Sequence, residues 1–120
     1  MPKLIIILSF FVIIIYLLSI PKIETISSEA QQAITNLNAQ NNFQALKMYK
    51  LKHGNFPTQI EGLNVLEIEK VITNSITDFW GRPFIYTVSG NQYSIISFGA
   101  DGQRGGSNLN KDLSFIWYYD

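Results

Sequence analysis

Residues 30–57 read AQQAITNLNAQNNFQALKMYKLKHGNFP. Ala30, Ala33, Ile34, Leu37, Phe43, Leu46 and Tyr49 recur at steps of mostly three or four, which is the period of one helix face. Between them stand Gln31, Gln32, Asn36, Asn38, Gln40, Asn41 and Asn42. That amide-rich face suits solvent or a loosely packed partner. Gly54 is placed to cap the helix C-terminus, and Pro57 follows shortly. No Gly or Pro lies between Pro21 and His53, so the stripe extends upstream through Ile26 and Ile23 and predicts an uninterrupted helix. Phe43 to Leu51 reads as the face packed on a small domain. Ile23 to Leu37 projects past what so small a domain can cover, and is expected to pack against other copies or partner helices.

Before this helix the composition changes. Sixteen of the first twenty residues are apolar, and Leu4–Ile20, LIIILSFFVIIIYLLSI, carries no charge. As a helix this run spans roughly 26 Å, long enough for one pass through a membrane. A secretory signal is the competing reading, but the run exceeds the usual signal core, and Pro21-Lys22-Ile23-Glu24 offers no small-x-small cleavage pattern. The expected division is an anchor helix at 1–21, bent at Pro21, and a second part at 22–120. Lys3 and the N-terminal amine precede the span, whereas Lys22 is soon followed by Glu24 and Glu29. The positive-inside bias therefore places the short N-terminus in the cytoplasm and the rest outside the inner membrane.

After Pro57, Thr58 and Glu61 form a capping-box pattern that predicts a short helix with Ile60, Leu63 and Leu66 on its inner face. Phe84–Val88 and Tyr93–Phe98 are β-branched and aromatic and flank Ser89-Gly90-Asn91-Gln92, a hairpin signal. Phe115–Tyr119 adds a third strand. A long helix followed by a small antiparallel sheet is an α+β fold.

Four of the eight glycines fall within Gly99–Gly106, in SFGADGQRGGSNLNKD at 97–112. Asp101 and Asp112 bracket this loop, with Asn108 and Asn110 between them. Three readings stay open at this point. The segment is an ordinary surface loop, a calcium loop built from hard oxygens, or a phosphate nest using Arg104 and backbone donors. The EF-hand pattern is excluded because no Glu closes it.

Composition excludes further classes. Nine basic residues balance nine acidic ones, with no charged block, so nucleic acid is not an expected partner. The absence of cysteine removes disulfides, thiolate zinc sites and a cysteine nucleophile. The single histidine, His53, stands at a helix end, where the dipole accounts for it. An enzyme is not expected, and Trp80, Trp117, Tyr118 and Tyr119 read as core and edge aromatics.

Three segments together resemble the major pseudopilin, protein G, of bacterial type II secretion systems: ALKMYKLKHGNFPTQIEGLNVL at 45–66, DFWGRPFIY at 78–86, and SFGADGQRGG at 97–106 followed by NKDL at 110–113. The resemblance covers residues 33–113 in order. It implies a pilin-like fold and a structural role in a periplasmic pseudopilus that moves folded proteins through an outer-membrane channel. It also implies calcium in the C-terminal loop, held by Asp101 and Asp112 with the backbone carbonyls of Phe98 and Gln103. Asn110 is kept as an extra oxygen donor without a family counterpart.

The expected partners are other copies or other pseudopilins, inner-membrane secretion components and membrane lipid. The family pattern includes a basic leader ending in Gly and a glutamate early in the apolar stretch, whereas this sequence reads Met1-Pro2-Lys3-Leu4 and has no glutamate before Glu24. An atypical member without leader or glutamate is therefore expected. Two functions follow: an assembling pseudopilus subunit, or a non-polymerising, membrane-tethered, calcium-dependent binding module.

Overall fold

The computed structural model describes residues 2–20 and 25–120. Its elements are α1 (Pro2–Ser19), α2 (Ser28–His53), α3 (Asn64–Ile68), β1 (Ile85–Ser89), β2 (Gln92–Ser97) and β3 (Leu113–Tyr118), with a 3₁₀ turn at Asn108–Asn110. The three strands form an antiparallel meander in the order β1-β2-β3. Helices followed by a small sheet give the pilin-like α+β arrangement that the sequence predicts.

α1 has 18 residues and a mean hydropathy of 2.4, and none of its side chains is buried. Ser9 and Ser19 donate their hydroxyls to the carbonyls of Ile6 and Tyr16, so neither leaves an unpaired donor in the apolar run. Among the described residues it is the one helix long and apolar enough to cross a membrane. The bend at Pro21, the stripe residue Ile23 and the boundary at 21/22 lie outside the described residues.

The uninterrupted helix is not what forms. Thr25–Ser27 are non-helical and α2 begins afresh at Ser28. Ser27 is extended (φ −60°, ψ 157°), and its Oγ accepts from the Ala30 N–H at 3.2 Å. Glu29 sits in the first turn, its carboxyl held below the ordinary value by hydrogen bonds from its own N–H and from Ser27 and Ser28. An N-cap plus an early acid starts a helix without help from Gly or Pro, which an apolar stripe does not register. The other end is as read: Gly54 is left-handed (φ 85°) and its N–H donates to Lys50 O at 2.7 Å.

Part of the amide face of α2 is turned to the chain rather than to solvent, whereas Gln40 is exposed as expected. Gln31 Oε1 accepts from Trp80 Nε1 at 3.1 Å, and Thr35 Oγ1 accepts from the Phe79 N–H at 3.1 Å. Asn38 and Asn42 donate through Nδ2 to the carbonyls of Thr77 at 3.1 Å and Ser75 at 3.0 Å. Positions 31, 35, 38 and 42 make one helical stripe, and their partners descend through 80, 79, 77 and 75. The segment therefore runs antiparallel to the helix and is hydrogen-bonded to it rung by rung. Thr35 and Asn42 are fully buried. The physical reason is that buried backbone groups need partners, and this irregular segment has only an isolated bridge, Thr77 with Pro83, and a few turn bonds of its own.

Leu46, Leu66 and Ile95 are the largest fully buried apolar side chains. Ala39, Ala45, Tyr49, Leu63, Phe84 and Tyr86 complete most of the cluster around them. Tyr86 donates its hydroxyl to Pro57 O at 2.9 Å, and burial pushes its phenol up. Strand positions match expectation to within two residues, and the hairpin turns at Gly90-Asn91 with Gly90 at φ 59°, where primed turns favour glycine.

The short helix expected after Pro57 is α3, and it begins later than read. Thr58 and Glu61 do bond reciprocally, at 2.7 and 3.2 Å. Gly62 then turns left-handed (φ 61°) and postpones the helix to Asn64. Leu63 and Leu66 are buried as expected, but Ile60 is 99% exposed. α3 is tied to the end of α2 by Glu69, whose carboxylate meets Lys52 Nζ at 2.8 Å and His53 Nε2 at 2.6 Å.

Asn42→Ala removes the two hydrogen bonds that its fully buried amide donates, to the carbonyls of Asn38 and Ser75. It is expected to cost about 2–3 kcal/mol, measured by urea unfolding of the full chain in detergent, while the exposed Gln44→Ala stays within about 0.5 kcal/mol. Equal losses in the two variants contradict the rung-by-rung attachment. A second expectation concerns pH. Hydrogen bonds from Lys52 and His53 hold the Glu69 carboxyl below its ordinary value, so its contribution is present above the unfolded-chain value and is lost as pH falls through the folded one. Glu69→Gln is expected to flatten the acid limb of melting temperature against pH, and an unchanged limb excludes this pair as its source.

Candidate functional site

The glycine-rich loop leaves β2 at Ser97 and enters β3 at Leu113. Two of its glycines are sites of close backbone approach. A Cβ on Gly99 (φ 75°) would stand 2.7 Å from Leu109 O and 2.8 Å from Lys111 O, and one on Gly106 (φ 97°) 2.7 Å from Asn110 O. The Ala100 N–H donates to Leu109 O at 2.8 Å. The loop is thus folded back so that 99–106 lies on 109–111, and only glycine permits that spacing together with left-handed backbone.

Each expected metal-ligating residue has a definite place in this fold. Asp101 is exposed and its Oδ1 accepts from the Gln103 N–H at 3.0 Å. Asp112 is half-buried, and both its oxygens lie 3.0 Å from the Gly105 N–H. Phe98 is half-buried directly after β2. Gln103 is exposed beside Asp101, and Asn110 is exposed at the end of the 3₁₀ turn against Gly106. All five belong to one folded-back loop. Among the described residues no group of three or more His, Asp or Glu side chains gathers, so a cation here would complete its shell with carbonyl and amide oxygens. That donor set is of the hard-oxygen kind that suits calcium. The phosphate-nest reading fares differently, because N–H groups of Gln103 and Gly105 are already taken by Asp101 and Asp112.

The brace beneath the loop escaped the sequence reading. Asp78 is buried and accepts from the N–H groups of Trp80 and Arg82, each at 3.0 Å, and from the Ser97 hydroxyl at 2.7 Å. Ser97 Oγ in turn accepts from the Gly99 N–H at 3.2 Å. Arg82 donates through Nη1 to Gly99 O at 3.3 Å and to Ala100 O at 2.9 Å, and its side chain lies where a Cβ on Gly102 would stand. From the helix side, Gln32 Nε2 donates to the carbonyl of Asn108, a residue at φ 52°. The visible signal was the Asp-x-x-Gly pattern of DFWG, which marks a turn that an Asp side chain closes. Nothing local reveals that the same carboxylate also holds Ser97.

A long helix, a three-stranded meander and a braced glycine loop define a pilin-like structural protein. The family model for type II secretion system protein G matches residues 22–116, most of the chain. The chain is 32% identical over 100 residues to type II secretion system core protein G of Vibrio cholerae, covering 72% of this chain and 67% of that one. It is 27% identical over 112 residues to the protein of the same name in Pseudomonas aeruginosa, covering 80% and 78%. The chain belongs to the type II secretion protein G family, the major pseudopilins. Its members are structural components of a secretion system rather than a known class of enzyme, which accords with the reading of His53 and the aromatics as structural.

Asp78→Ala leaves three donors without their acceptor and is expected to cost about 3 kcal/mol or more, with raised amide exchange reaching Gly99 and Gly102 by hydrogen-exchange mass spectrometry. If exchange rises only around Trp80, the carboxylate does not brace the loop.

Proposed function

We propose that the chain is an assembling subunit of the pseudopilus. In this reading α1 crosses the bacterial inner membrane once, with the N-terminus cytoplasmic and residues 22–120 periplasmic. Copies then pack through their N-terminal helices, with other pseudopilins and inner-membrane components as neighbours, and help to drive folded proteins across the outer membrane. The observation that carries the reading is α1 itself: an apolar helix with no buried side chain in its own chain, joined to a domain of the protein G family. Its side chains need lipid or other helices to cover them. Ile34 and Leu37 on the outer face of α2 are exposed as well, which extends the uncovered surface beyond the membrane.

A second reading rests on a specific observation. Leu4–Ile20 carries no acidic residue, so packing among copies of α1 through this stretch has no carboxylate to pair across it. A tethered, non-polymerising binding module fits that sequence. Crosslinking of the intact protein in membranes separates the two: assembly yields a ladder of homo-oligomers that Leu37→Asp shortens, and a monomer band alone excludes it.

Calcium in the loop is part of the proposal in either case. Asp101 and Asp112 supply the carboxylates, Phe98 and Gln103 carbonyls, and Asn110 a further oxygen. The bound ion contributes charge that offsets the two carboxylates and ties the loop's two arms together. Because a ligand of the folded state stabilises it, calcium at a hundredfold excess over Kd adds about 2.7 kcal/mol. The melting temperature of the full chain in detergent is expected to rise with calcium, less with magnesium, and not at all in Asp101→Ala or Asp112→Ala. An equal rise in those variants removes the site from this loop.

A further inference from the structure

The two edges of the sheet differ. At β1 the Val88 N–H donates to Gln59 Oε1 at 3.3 Å, and the Thr77 bridge to Pro83 lies just ahead of the strand. β3 forms the other edge. The Tyr119 N–H donates to Asn91 O at 2.9 Å, in continuation of the β2–β3 register. Backbone direction alternates along an antiparallel strand, so the N–H and C=O groups of Ser114, Ile116 and Tyr118 point away from β2. Among the described residues no hydrogen bond from outside the sheet reaches them. Residues 113–118 read LSFIWY, without Pro, Gly or charge. Those are the devices that keep edge strands from pairing.

Two hollows lie beside this edge on successive turns of α2. One, of about 340 Å³, is lined by Gln40, Phe43 and the segment Ser114–Trp117. The other, of about 390 Å³, is lined by Lys47, Lys50, Leu51, Phe56 and Tyr119. Their walls are aromatic, with Phe43 against Trp117 at 4.6 Å and Phe56 against Tyr119 at 5.2 Å between ring centroids. Lys47 and Lys50 rest their ammonium groups over Phe43 at 4.6 Å and Tyr119 at 2.9 Å. Among the described residues neither has a carboxylate partner, the ion pairs there being those of Lys52 and His53 with Glu69.

We propose that the free edge of β3, with the basic aromatic hollows beside it, receives an extended acidic segment of a partner protein by strand addition. The main-chain groups of Ser114, Ile116 and Tyr118 supply the ladder, and alternate side chains of the segment face the hollows, an apolar one beside Phe43 and Trp117 and carboxylates beside Lys47 and Lys50. Charge decides against a second copy paired edge to edge. LSFIWY carries no acid to meet the lysines, and a symmetric pairing repeats the same two cations on both sides.

The test uses the full chain in detergent micelles and fluorescence anisotropy of a labelled heptapeptide, Thr-Val-Thr-Glu-Thr-Glu-Thr, whose valine and glutamates share one face, beside its counterpart with Lys for each Glu. The acidic peptide is expected to bind about tenfold more tightly than the basic one, and less tightly as salt rises. Ile116→Pro removes an outward N–H at an edge, where proline is tolerated, and is expected to abolish binding with the melting temperature little changed. Should that variant unfold, Lys47→Glu with Lys50→Glu serves independently, and is expected to invert the preference between the peptides. Equal affinity for both peptides, binding of neither, or an unaltered preference in the lysine double variant overturns the proposal. So does a homodimer in sedimentation that Ile116→Pro dissolves and the acidic peptide does not displace.

Discussion

The structure depends on a stripe of short polar side chains on α2. Gln31, Thr35, Asn38 and Asn42 hold residues 75–80 to the helix through the backbone of that segment and the indole of Trp80. Hydrophobic burial alone gives such an irregular stretch no register, because apolar contact is not directional. Hydrogen bonds to named carbonyls and amides are. With residues 75–80 fixed, Asp78 is presented at one defined place, and from there the constraint passes to Ser97 at the end of β2 and to the first turn of the glycine loop. The loop thus takes its position from the helix by two routes, through Asp78 and directly through Gln32 to Asn108.

This arrangement separates two kinds of interaction by task. Leu46, Leu66 and Ile95 remove apolar area from water and hold helix and sheet together. The polar stripe and the Asp78 cluster add specificity, since an unpaired buried donor or acceptor makes alternative packings costly. Asp101 and Asp112 then keep their geometry because the backbone around them is already crossed by Arg82, Gln32 and Ala100.

What was legible in the sequence was local. Gly54 as a helix end, Gly90 in the hairpin and the alternation of Phe84–Phe98 are each decided within a few residues, and the structure follows them closely. An irregular loop between the last two strands was visible in its glycines, but its folding back onto 109–111 was not. The stripe was not visible, because an asparagine facing water and one facing a distant carbonyl look alike. Thr35 meets Phe79 across 44 positions, and no periodicity carries that information. Asp78 was hidden for the same reason, its hydroxyl partner standing 19 residues away. The break before α2 is a different matter: Ser27 and Glu29 spelled a start signal, but the continuous apolar stripe outweighed it.

That start signal changes how the two helices are related. In one unbroken helix, each residue gained or lost near the membrane rotates everything beyond it by about 100°. A helix that begins at its own cap takes its facing from its own contacts instead. Ser27 therefore insulates the orientation of the domain that follows from the length of the segment that leads to it, and that segment is free to vary in length without turning the rungs of α2 away from residues 75–80.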